Sequence, residues 1–132
     1  MSPLRRLGAF VIVGTTAAAV HFAVVWAAVD GGGLAPLVAN VVGWACAFGV
    51  SFAGHHGWTF AAQRAPLGRS MRRFVLISAI GFAVNEAAYA LLLQTSGLGY
   101  RAALALVLVG VAAFTYVLGR HWAFLGTPAK PR

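Results

Sequence analysis

Two acidic residues, Asp30 and Glu86, stand against ten Lys and Arg in this chain, so its acid–base chemistry is confined to a few positions. Glu86 follows Asn85 in "AVNEAAYA" (83–90), and His21 lies in "AAAVHFAVVW" (17–26); both stretches are otherwise apolar. An ionisable group in such a run costs about 2.5 kcal/mol or more to place in a membrane and usually faces protein or water. Two further clusters share one pattern: "SFAGHHGWTF" (51–60) and "TYVLGRHWAF" (115–124). In each, a Phe or Tyr precedes a cationic or titratable group, then Trp, one residue, and Phe. These residue types could accept a proton, hydrogen-bond a polar solute or hold a phosphate. They form no nucleophile elbow, carboxylate pair, phosphate-cradling glycine loop or H-E-x-x-H metal motif. No metal, cofactor or enzymatic activity is expected.

The elements that must position these groups are long apolar runs. Hydrophobic residues make up 61% of the chain and mean hydropathy is +0.83, too little polar material to coat a water-soluble globule of 132 residues. Four runs, about 7–29, 37–54, 74–93 and 102–119, each approach the ~20 residues that cross a bilayer core. The fold expected is therefore an all-α membrane protein, with one four-helix transmembrane domain over 5–125 and a short basic tail, 126–132. The first run is too long for a signal-peptide core and is expected to be retained. Cys46 lies within the second and is expected to be a buried thiol.

Charge sets the expected direction of the helices. Arg5, Arg6, Arg64, Arg69, Arg72, Arg73, Arg120, Lys130 and Arg132 fall on one side, and Arg101 alone on the other. Both termini are then cytoplasmic. A net charge of +8 carried between apolar runs suits cytoplasmic loops of a membrane protein and argues against a nucleic-acid partner. "RRLGAFVIVG" (5–14) aligns with "RRFVLISAIG" (72–81), and the two Trp-x-Phe clusters align likewise, so the chain reads as two tandem helical hairpins in a parallel repeat. Small residues at four-residue spacing (Gly14/Ala18, Gly43/Ala47, Ala45/Gly49/Ala53, Ala79/Ala83/Ala87) permit close helix contacts, and a homo-oligomer is expected.

Counting from Phe74, Glu86 lies about 18 Å into its span, and His21 reaches a similar depth, so a direct His21–Glu86 pair is the structural expectation. These two residues and Asn85 either line a polar path for a head group or proton, or simply join helices. Asn40 is expected to be a helix-packing contact and Asp30 a solvated turn residue. At the cytoplasmic edge, Trp58, Phe60, Trp122 and Phe124 are candidate interface anchors. Arg5, Arg6, His56, Arg72, Arg73 and Arg120 either meet anionic lipid there or converge on a phosphate.

The double-Arg start with its glycine, the Phe-x-x-His-His-x-Trp-x-Phe end of the second run, "RRF" opening the third, Asn85 within it and the closing "GRHWAF" together resemble the GtrA-like family. The resemblance spans about residues 5–125. It implies a small four-helix protein of the bacterial cytoplasmic membrane that moves, or helps handle, polyprenyl-phosphate-linked sugars for cell-surface polysaccharide synthesis. It implies a membrane glycosyltransferase as neighbour. The family often has Asn where this chain has Ser51 and Thr115, and Asn-Arg where it has His55-His56; Arg120 keeps the basic residue. A non-transporting adaptor that anchors a glycosyltransferase is the alternative, and a proton-coupled exporter, which would place its Glu in the first helix, ranks below it.

Overall fold

The computed structural model describes residues 3–59 and 67–123; the side chains of Pro3, Arg6, Thr59, Leu67, Arg69, Ser70, Arg73 and residues 114–123 are outside that description. The described chain is helical, with α1 Pro3–Trp26, α2 Pro36–Gly54, α3 Leu67–Thr95 and α4 Tyr100–Ala123. Two helices run on into single π-helical turns, Ala27–Gly31 after α1 and His55–Thr59 after α2. Leu7–Gly31, Pro36–Trp58 and Phe74–Thr95 are long and apolar enough to cross a membrane, and α4 adds a shorter apolar stretch, Tyr100–Ala113.

Local chemistry explains where the helices stop. Gly33 has φ +65°, a left-handed conformation that lets the chain leave the α1 extension, while Gly33 N–H and Leu34 N–H donate to the carbonyls of Val29 and Ala28. A Cβ at Gly32 would sit 2.8 Å from the Ala28 carbonyl oxygen. Pro36 then opens α2 at the position where its missing N–H costs nothing, with Ala35 extended before it. Gly97, also at φ +65°, makes the corresponding exit after α3.

Helix packing separates into two zones. Near these glycine turns, Val25 of α1, Ala39 of α2, Tyr89 of α3 and Ala103, Leu104 and Val107 of α4 form one buried cluster. Toward the other end, the α1 stripe Ala9, Val13, Ala17 and His21 is buried beside the α2 stripe Asn40, Gly43 and Ala47. Gly43 lies at a close approach of the two helices: a Cβ there would meet His21 Cδ2 at 2.6 Å, Val25 Cγ2 at 2.7 Å and the His21 carbonyl oxygen at 3.0 Å. Of the small-residue stripes, Gly43/Ala47 is thus at a contact, whereas nothing lies within 4 Å of a Cβ placed on Gly14 or Gly49. Ala79, Ala83 and Ala87 face outward.

Cys46 is exposed rather than buried. It lies off the Gly43–Ala47 stripe, on the side of α2 that carries exposed Val41, Val42 and Ala45. Large apolar side chains such as Ile12, Ile77, Ile80, Leu106 and Val109 are more than half exposed, as expected where lipid replaces water as solvent.

Candidate functional site: a polar chain across three helices

The antiparallel register of α2 and α3 determines which side chains meet. Asn40 lies opposite Glu86, Trp44 opposite Phe82, and Phe52 opposite Phe74, so each four-residue step along α2 is answered by one in the reverse direction on α3. On the other flank, the close approach at Gly43 brings His21 of α1 against α2.

Asn40 is fully buried at this crossing and joins all three helices. Its Oδ1 accepts from His21 Nε2 at 2.7 Å. Its Nδ2 donates to Asn85 Oδ1 at 3.0 Å and to Glu86 Oε2 at 2.5 Å. A primary amide has two N–H donors and one carbonyl, so both donors and the carbonyl are engaged. In this orientation Nδ2 faces the Asn85 and Glu86 oxygens and Oδ1 faces the His21 ring. With the amide so placed, His21 Nε2 is the donor to Asn40 Oδ1.

The direct His21–Glu86 pair expected from depth is therefore not formed; Asn40 stands between the two. The reason is spacing. The intimate α1–α2 contact brings His21 to α2, and Glu86 reaches α2 from the far flank. Asn40, expected to be only a packing contact, is the residue on which the polar chain depends. Counting α1 and α2 outward from their glycine turn would have placed Asn40 near His21.

A second tie between α2 and α3 runs from Trp44 Nε1 to Ser78 Oγ at 3.0 Å. Trp44 also stacks on Phe82, with ring centroids 4.8 Å apart and planes 22° apart. From Trp44 an aromatic file follows α2 at four-residue spacing through Phe48 and Phe52 to His56, which stacks on Phe52 at 5.5 Å. Phe74 of α3 packs against Phe48 and Phe52.

This file leads to the end of the molecule that carries the basic residues. His55 is buried, stacked on Phe10 of α1 at 4.9 Å and tilted against Phe74 at 6.1 Å. The start of α1, the end of α2 and the early part of α3 thus share one end of the bundle, where Arg5 and Arg72 are exposed and His56 is half-buried. Trp58 is exposed in the same π-helical turn. Arg6, Arg73, Arg120 and Trp122 lie on helices with side chains outside the described set, and Phe60 and Phe124 are outside the described residues altogether.

At the opposite end, Asp30 is not simply a solvated turn residue. Its carboxylate accepts from Trp26 Nε1 at 2.8 Å and from Tyr100 Oη at 2.5 Å, and it pairs with Arg101. The Arg101 guanidinium also lies 4.6 Å from the centre of a Trp26 ring. The lone basic residue expected on this side thus ties the first glycine turn to the start of α4.

A helical protein with membrane-length apolar spans and a buried polar chain joining three of its helices is a polytopic membrane protein. The model of the GtrA/DPMS transmembrane-domain family matches residues 9–124, and the chain belongs to that family, which is linked to polyprenyl-phosphate sugar handling. No curated protein and no solved structure matches the chain.

Proposed function

We propose that this protein is a non-enzymatic translocase, or an accessory to one, for a polyprenyl-phosphate-linked sugar used in cell-surface polysaccharide synthesis or glycosylation. The observation that carries this reading is the His21–Asn40–Asn85/Glu86 chain, a hydrogen-bonding centre held within membrane-length helices. A sugar crossing hydrocarbon must keep its hydroxyls hydrogen-bonded, because each unsatisfied polar group costs several kcal/mol there. Asn85, Glu86 and His21 supply such partners, and Asn40 holds them in register.

In this reading the bundle crosses the bacterial cytoplasmic membrane four times, as two parallel hairpins with both termini inside. The phosphate is held at the basic end by Arg5, Arg6, Arg72, Arg73 and Arg120 with His56, among anionic lipids. The charge asymmetry and paired sequence clusters support that orientation. A membrane glycosyltransferase makes or consumes the lipid beside it, and a homo-oligomer enlarges the small bundle.

Reconstitution in liposomes with a labelled polyprenyl-phosphate sugar tests the proposal. Transfer between leaflets should exceed that of protein-free vesicles and fall in Glu86→Gln. No transfer above protein-free vesicles would sink the translocase reading. Unaltered Glu86→Gln behaviour together with loss of a co-purifying glycosyltransferase in Arg120→Ala would favour an adaptor.

A further inference from the structure

Between α1, α2 and α3, on the basic-end side of the polar chain, lies an open cleft of about 200 Å3. Ala18 and His21 line it from α1, Trp44, Phe48 and Ser51 from α2, and Ser78 from α3. It joins the aromatic file to His21, the first member of the polar chain. We infer that this cleft is the binding site for the sugar ring itself, with Trp44 and Phe48 as its stacking surfaces. The inference rests on the proposed handling of a sugar-bearing lipid and adds where, and by which residues, the sugar is recognised.

Three properties point to a pyranose. A sugar ring has an apolar C–H face and a rim of hydroxyls. The electron-rich faces of Trp and Phe attract polarised C–H groups, while the Ser51 and Ser78 hydroxyls and the His21 ring lie among them to meet the rim. The volume is below the roughly 300 Å3 at which drug-sized pockets begin, and suits a single ring. The platform is also held in place: Phe82 covers one face of Trp44, and Ser78 accepts its indole N–H. Two serines and a histidine among the aromatic and alanine walls offer partners that a sugar's hydroxyls can use and an isoprenoid tail cannot.

The test uses the full chain in detergent micelles and isothermal titration with farnesyl phosphate, and with farnesyl phosphate bearing glucose, galactose or mannose. At least one sugar-bearing form should bind about tenfold or more tightly than farnesyl phosphate. Trp44→Ala and Ser78→Ala should bring that ratio to within about twofold while leaving the affinity for farnesyl phosphate itself unchanged. Ala18→Leu, which fills the cleft and removes no polar group, should do the same and covers the case in which Trp44→Ala fails to fold. Equal binding of all four lipids by the wild-type chain would overturn the sugar site and leave lipid handling standing. Equal loss of farnesyl phosphate in the variants would assign the cleft to the tail and overturn it too. Binding of none, with no transfer in liposomes, would remove the proposed function itself.

Discussion

Replacing Asn40 with Leu is the sharpest test of how this bundle holds together. Leu has the same branched heavy-atom skeleton as Asn but bulkier ends, so the change removes polarity without opening a cavity, and any overpacking at this buried site adds to the loss. Three hydrogen bonds go, at 2.7, 3.0 and 2.5 Å. Interhelical bonds in membranes average about 0.6 kcal/mol with a maximum near 1.7, giving roughly 2 kcal/mol for the three. The groups left behind add to that. His21 and Asn85 are buried, and a buried polar group without a partner costs about 1–3 kcal/mol. With two such groups the expected loss is about 4–8 kcal/mol, read as a shift in unfolding midpoint in detergent or lipid nanodiscs. A double-mutant cycle with Glu86→Leu should return a coupling of about 0.5–1.7 kcal/mol, because that bond exists only when both residues are present. A neutral Asn40→Leu variant with zero coupling would refute the central role given to Asn40, whatever the protein carries.

Glycine substitutions should divide by position: Gly43→Ala, whose Cβ would meet His21 and Val25 below 3 Å, should cost about 1–3 kcal/mol in thermal unfolding. Gly49→Ala, with nothing within 4 Å, should be neutral or gain up to about 1 kcal/mol from helix propensity. At the opposite end, Asp30→Asn should lower the melting temperature at low salt, and the difference should narrow as salt rises because an exposed ion pair is screened; a gap independent of salt would contradict the pairing with Arg101. Cys46→Val should be nearly neutral in thermal unfolding, since the side chain lies on the outward side of α2; a loss like that of a core substitution would contradict that placement.

Much of this architecture is legible along the chain. Apolar run length and the Gly/Pro breaks at 30–36 and 95–101 mark the helices, because a membrane leaves a backbone few other ways to satisfy its hydrogen bonds. The unusual cost of polar groups in such runs singles out His21, Asn85 and Glu86. Partnership is a different matter, because it depends on helix register and rotation. His21 and Glu86 match in depth, yet Asn40 separates them; Cys46 and Ala47 are neighbours, yet one faces outward and the other is buried. A rotation of about 100° per residue decides such outcomes, and apolar composition on every side of a membrane helix hides it.

The sequence by itself therefore determined the helical class and the inventory of polar groups, since these follow from solvation and can be counted along one chain. Only the tertiary structure decided that Asn40 joins three helices, that Trp44 is braced by Phe82 and Ser78, and that Asp30 is tied to Arg101. Each of those depends on a close approach, such as that at Gly43, which sets how two helices are rotated against each other.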